Sequence, residues 1–307
     1  MAASPVVVAV TRGGLLVRVL ISGGVGFIGS TVASALTDAG NTPVVLDNLV
    51  IGRREICRGR AFQLGDAGVR RPAAGARRTP VDLQLVAAIY APDADIGVDE
   101  TSPLAAGSPY AQTKLVVERM LADIAASSPL RVLSLCYFNP IGADPALRTG
   151  LQTSVPSHAL GRLMLAHRAG VPFAVNGFDW PTRDGSGLRD YVHVWDLAAA
   201  HLRALERFDD IFAVGAAPHV AVNLGSGTGT TVLELVAVVD RPVLVREAPR
   251  RPGDAAGAYA RGRRARELLG WRARRDLATG IADSLAWHDR RERLLGDLAP
   301  RRRQLAG

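Results

Sequence analysis

The sequence predicts an α/β protein, a parallel sheet wrapped by helices and followed by a smaller carboxyl-terminal domain. Three observations predict it. The chain has 307 residues, beyond the ~250–300 at which a single core stops growing, so two domains are expected. Short apolar runs, "VRVLI" from Val17 to Ile21 and "PVVLD" from Pro43 to Asp47, are bounded by turn residues and suit buried parallel strands. Between them Phe27, Ile28, Val32, Ala35 and Leu36 recur at helical spacing until Gly40 stops the helix.

The turn joining the first strand to the helix carries Gly23, Gly26 and Gly29. Glycines let the backbone turn tightly and approach a pyrophosphate, which sits on the positive end of the helix. Asp47 stands 18 residues beyond Gly29, at the tip of the next strand. There a carboxylate accepts hydrogen bonds from an adenosine ribose and repels a 2′-phosphate. The order of strand, glycines, helix, strand and acid predicts a Rossmann-type parallel sheet that binds NAD rather than NADP. Residues 1–16 precede this plan and are expected to be a disordered extension.

Composition excludes several classes. Hydrophobic residues make up 48% and charged residues 21%, as in ordinary globular proteins. The net charge of +8 comes from arginines spread along the chain, without a zinc-finger or homeodomain pattern, so no nucleic-acid partner is expected. No apolar run reaches the ~18 residues of a membrane span. Cys57 and Cys136 are the only cysteines, too few for a disulfide framework or a four-ligand zinc site. No metal is expected, and a cytoplasmic location fits.

Lys114 is the only lysine among 37 basic residues. It closes "SPYAQTK", in which Ser108 can cap a helix and Pro109 suits its first turn. Tyr110 lies four residues before it, on the same side one turn away. Val117, Leu121 and Ile124 are then expected to line one face. A free tyrosine, with a pKa near ~10, is a poor base at neutral pH. A close ammonium and a positive nicotinamide ring together can favour the phenolate. A compact ammonium can also serve a ribose hydroxyl, which a planar guanidinium does with different geometry. Tyr110 and Lys114 are therefore the candidate catalytic pair.

The motifs "GGVGFIG", "LDN", "SPYAQTK", "YFNPIGADP", "DGSGLRDYVHVWDLAAAH", "NLGSGTGTTVLELV", "APRRPGD" and "ARELLGW" occur in order and span most of residues 17–290. On these the chain resembles the extended short-chain dehydrogenase/reductase family, most closely its UDP-glucose 4-epimerases. The resemblance implies an isomerase acting on a UDP-hexose through a 4-keto sugar, with Tyr110 as base. It implies NAD contacts by Gly23, Gly26, Phe27, Ile28, Gly29, Asp47, Asn48, Asp66, Tyr110 and Lys114. It implies that Asn139 touches the sugar diphosphate, and that Arg189, Arg251 and Asp254 grip diphosphate and uridine ribose. It allows a homodimer. The NAD domain is expected over 17–148, with 186–214 returning to it, and the nucleotide-sugar domain over 149–303. His193 is expected to be a structural hydrogen-bonding residue and Trp271 a core residue.

The sequence departs from that pattern in places. Val86 stands where the family places a serine. Only Ala67 to Gly97 fill the span in which the family has a strand, a long helix and a second strand. The sheet is therefore expected to lack one or two strands. Asn176 stands where an aromatic or aliphatic residue packs the uracil, and "TSVPSHAL" replaces an asparagine-rich loop. Two readings follow. One is a working epimerase. The other is a catalytically impaired NAD- or nucleotide-sugar-binding remnant with slow turnover.

Overall fold

The computed structural model describes residues 7–13, 16–65, 81–86, 90, 96–213, 216–239, 241–251 and 253–295. In chain order the first elements are β1 (Val7–Gly13), β2 (Leu16–Ser22), α1 (Phe27–Asp38), β3 (Thr42–Asp47), β4 (Ala61–Leu64), β5 (Val81–Val86) and β6 (Ile96–Val98). Then come α2 (Pro109–Ser127), β7 (Val132–Tyr137), β8 (Asn139–Ile141), α3 (Ala159–Ala169), β9 (Phe173–Asn176), β10 (Leu188–Arg189) and β11 (Tyr191–His193). The remainder comprises α4 (Val194–Glu206), α5 (Phe208–Ile211), β12 (His219–Leu224), β13 (Thr230–Thr231), α6 (Val232–Ala237), β14 (Val245–Ala248), β15 (Ala258–Ala260), α7 (Arg263–Leu269) and α8 (Leu277–Leu295).

Seven strands form the main sheet in the order β12-β7-β5-β1-β2-β3-β4. The pairs β2/β3, β3/β4, β5/β7 and β7/β12 are parallel. β1 is antiparallel to both of its neighbours, β2 and β5. Its register with β2 ends at Gly13 opposite Leu16, leaving a two-residue connection. So short a link permits only antiparallel pairing, because a parallel crossover needs a dozen or more residues.

This corrects two expectations. Residues 7–13 are not a disordered extension but a strand inside the sheet. Nor is the sheet left with a gap beside the glycine-turn strand. In the doubly wound order 3-2-1-4-5-6 the strand beside the first is the fourth. Here β2 plays the first strand, and β1 fills the fourth position from the amino-terminal side. Without it β2 and β5 would each present an unpaired edge in mid-sheet. Residues 66–80, where the family's helix would begin, lie outside the described residues.

The main core lies between the sheet and α1 and α4, with Val19, Ile21, Val32, Leu36, Val45, Leu133, Leu135, Leu197 and Ala200 all buried. A second core, around Leu160, Leu163, Phe173, Val175, Leu235 and Ile281, supports the carboxyl-terminal part. Trp271 is buried in the first core, as its place after "ELLG" predicts, and its Nε1 donates to Asp196 O at 2.8 Å. The α2 helix starts as predicted: Ser108 Oγ accepts from Ala111 N at 3.2 Å, with Pro109 at the first position. Its buried residues are Ala111, Lys114, Leu115 and Ala125. Of the residues expected to line one face, Val117 and Ile124 lie 36% and 41% exposed, with Met120 at 55%.

Candidate active site

The β2–α1 turn folds as glycine geometry requires. Gly23 adopts φ 68°, open to few other residues, and its N donates to Leu46 O at 2.8 Å. A Cβ on Gly29 would collide with Gly23 O and the Gly24 Cα. α1 begins after Gly26, in extended conformation, with no side-chain cap, so its first N–H groups remain for a ligand. Asp47, buried at the end of β3, closes the turn: Oδ2 accepts from Val25 N at 3.2 Å and Oδ1 from Leu49 N at 2.8 Å. A cavity of about 310 Å³ opens over this turn, lined by Gly23, Gly26, Phe27, Ile28, Gly29, Asp47 and Asn48 among others. A glycine cradle, an uncapped helix start and a carboxylate on the cavity lining fit the adenosine and pyrophosphate half of NAD.

A second cavity, of about 290 Å³, adjoins it and brings together Asn139, Arg189, Arg251 and Asp254. Parallel pairing of β8 with β11 sets Asn139 opposite Tyr191. Asp190 pins the strand beside Arg189, accepting from Ser226 N at 2.7 Å and Ala260 N at 2.9 Å. Burial pushes the Asp190 carboxyl up, and these donors offset part of that. Arg189 Nη1 donates to Leu188 O at 2.6 Å, which orients the guanidinium along the cavity wall. The turn from Arg251 to Asp254 closes with Asp254 N donating to Arg251 O at 3.0 Å. Phe27, Pro140, Leu151 and His158 line both cavities and join them.

Tyr110 and Lys114 belong to neither of these linings. On α2 the Lys114 ammonium lies 5.4 Å from the Tyr110 ring centroid, and the lysine is only 7% exposed. The sequence led to a phenol pulled down by its lysine. In the protein alone the direction is opposite: burial pushes Tyr110 up and Lys114 down. Asp66 lies outside the described residues. Val86 pairs with Tyr137 across β5 and β7, and its side chain is outside the described set.

The sequence model of the NAD dependent epimerase/dehydratase family matches residues 73–217. The UDP-glucose 4-epimerase of Rhizobium leguminosarum bv. trifolii is 34% identical over 88% of this chain and 97% of its own. That of Rhizobium meliloti is 33% identical over 89% and 98%. The chain belongs to the NAD-dependent epimerase/dehydratase family. Among solved structures, the UDP-glucose 4-epimerase of Stenotrophomonas maltophila, with NAD and formylated UDP-arabinopyranose bound, superposes with a TM-score of 0.80 at 29% identity, covering 89% of this chain and 98% of that one. The Brucella ovis enzyme in complex with NAD gives 0.76 at 32% identity, over 88% and 97%.

Sequence reasoning missed several residues of this family member's site. Gln152 holds the glycine turn from across the cleft, donating to Val25 O and accepting from Arg53 N at 2.7 Å. Trp180 walls the second cavity under the Arg250 guanidinium, 3.8 Å from its ring centroid, and its Nε1 donates to Asn176 O at 3.0 Å. Asn176 donates in turn to Pro249 O at 3.0 Å. His158, within the unusual "TSVPSHAL" run, was noticed as part of a departure but not as a lining residue. His193 behaves as a structural residue: its Nδ1 accepts from Trp195 N at 3.1 Å and its Nε2 meets Asp283 at 3.0 Å.

Proposed function

We propose that this protein interconverts UDP-glucose and UDP-galactose. The observation that carries the reading is the adjacency of two cavities, one built for a dinucleotide and one lined with arginines for a nucleotide diphosphate. Bound NAD supplies a reversible hydride acceptor. Tyr110 takes the proton from the sugar 4′-hydroxyl and returns it after the 4-keto sugar has turned over. Lys114 offsets the phenolate charge and serves a ribose hydroxyl. Asn139, Arg189, Arg251 and Asp254 hold the diphosphate and uridine ribose, while Gly23, Gly26, Phe27, Ile28, Gly29, Asp47, Asn48 and Asp66 hold the cofactor. The comparisons do not favour an impaired remnant over a working enzyme.

The two cores support an NAD-binding unit that takes in α4, and also β12, α7 and Trp271 from the span expected to be nucleotide-sugar domain, and a nucleotide-sugar unit built on α3, β9, α6 and α8. The exposed stripe of Val117, Met120 and Ile124 on α2 offers a face for a homodimer. Two buried free cysteines suit a cytoplasmic location. Among the described residues no helix is long and apolar enough to cross a membrane. The test is conversion of UDP-galactose to UDP-glucose by protein supplied with NAD, followed by a coupled dehydrogenase. Conversion that depends on Tyr110 supports the reading, and none at saturating NAD contradicts it.

A further inference from the structure

Four residues line both cavities: Phe27, Pro140, Leu151 and His158. Only His158 among them has a polar side chain. It precedes α3 and caps it, its Nδ1 accepting from Gly161 N at 3.1 Å. A nitrogen that accepts this bond carries no proton, so in the neutral ring the proton sits on Nε2. Among the described residues no protein acceptor is found for Nε2. The residue is exposed to the cleft, yet the protein packed around the ring pushes its pKa below the usual value, which favours the neutral ring. Gly161 leaves room for the ring, since a Cβ there would collide with Pro156 and approach the ring to 3.0 Å. The adjoining cavity carries net positive charge: Arg162, Arg189 and Arg251 line it with a single carboxylate, Asp254. On the other side lies the open start of α1.

We propose that His158 is a binding residue, its Nε2–H donating to a diphosphate oxygen where the two cavities meet. This rests on the nucleotide-sugar and NAD reading above, and the diphosphate is that of the nucleotide sugar or of the dinucleotide. A neutral donor suits the place. It adds a directed hydrogen bond without another cation beside three arginines, and it leaves the α3 cap intact, which protonation of Nδ1 would break.

His158→Asn separates the two roles. Asparagine is a good helix cap, but its short amide does not reach the cleft. Melting temperature checks the cap, and calorimetry with four probes reads the site: UDP, uridine, ADP and adenosine. A hydrogen bond to a charged oxygen corresponds to at least about tenfold in affinity. The expected result is an unchanged melt with that loss for one diphosphate and none for its nucleoside. Loss confined to UDP places the contact on the nucleotide sugar, and loss confined to ADP places it on the cofactor. Undiminished binding of both diphosphates, or equal loss for the nucleosides, overturns the proposal and leaves His158 as a cap. A parent protein that binds none of the four overturns the functional reading itself, and this proposal with it.

Discussion

In the proposed mechanism Tyr110 is the residue on which the chemistry turns, and its environment in the free protein opposes ionisation. Desolvation raises the phenol pKa and lowers that of Lys114. The phenolate of the free chain therefore forms above the ~10 of an ordinary tyrosine. A cation brought beside the ring favours the charged form and moves that titration down. The difference in phenolate absorbance between parent and Tyr110→Phe should shift to lower pH when NAD is added. An unmoved difference would separate the cofactor from Tyr110. Tyr110→Phe should bind UDP as the parent does and lose about 10²–10⁴ in turnover, the usual range for a general base. Asp47 is a second test. Its carboxylate accepts the backbone N–H groups of Val25 and Leu49 and lines the cavity over the glycine turn, where the proposed reading sets it against a 2′-phosphate. Asp47→Asn should weaken NAD and narrow its margin over NADP in parallel titrations, whereas an unchanged ratio would assign Asp47 to the turn alone. Tyr110, Lys114 and Asp47 were legible because each stands in a local pattern of fixed spacing. Gln152, Trp180 and His158 were not, because they reach the site through contacts distant in sequence.

Among the elements, β1 departs furthest from what the sequence implies. "VVAVTRG" reads as an apolar start with no evident partner, since strand propensity does not say which edge a strand will join. The partner follows from the shortness of residues 67–97, which leaves a place beside β2 that a hairpin can fill. β2, α1 and β3 were legible because the glycines punctuate them. The exposure of that face of α2 was not legible, because apolar spacing marks a stripe without saying what covers it. Removing residues 1–13 should expose the edges of β2 and β5 and loosen the glycine turn that continues from β2. We expect a lower melting temperature and weaker NAD binding. A truncated protein matching the full chain in both would show that β1 is dispensable to the sheet.

The whole molecule carries a pH dependence set by its histidines. His201 is fully buried and its pKa is pushed down to about 4, chiefly by desolvation. Burial also lowers His158, His193, His219 and His288. All five stay neutral in the fold after the unfolded chain has begun to take up protons near 6.5, the value of a free histidine. The unfolded state thus binds more protons below that pH, so stability falls as pH drops, and His201 alone accounts for up to about 3 kcal/mol by pH 4. Urea midpoints at pH 7 and pH 4.5 should differ in that direction, and equal midpoints would contradict buried neutral histidines. The overall architecture was readable because motifs of the family recur in order, while the composite sheet was not, because the strand in its fourth position comes from before the glycine-turn strand in the chain. The most direct measurement is the conversion of UDP-galactose to UDP-glucose by the full chain at saturating NAD. The account predicts NAD-dependent conversion that Tyr110→Phe slows by about 10²–10⁴. Tight binding of NAD and UDP without any conversion would contradict it and make the chain a nucleotide-sugar-binding remnant.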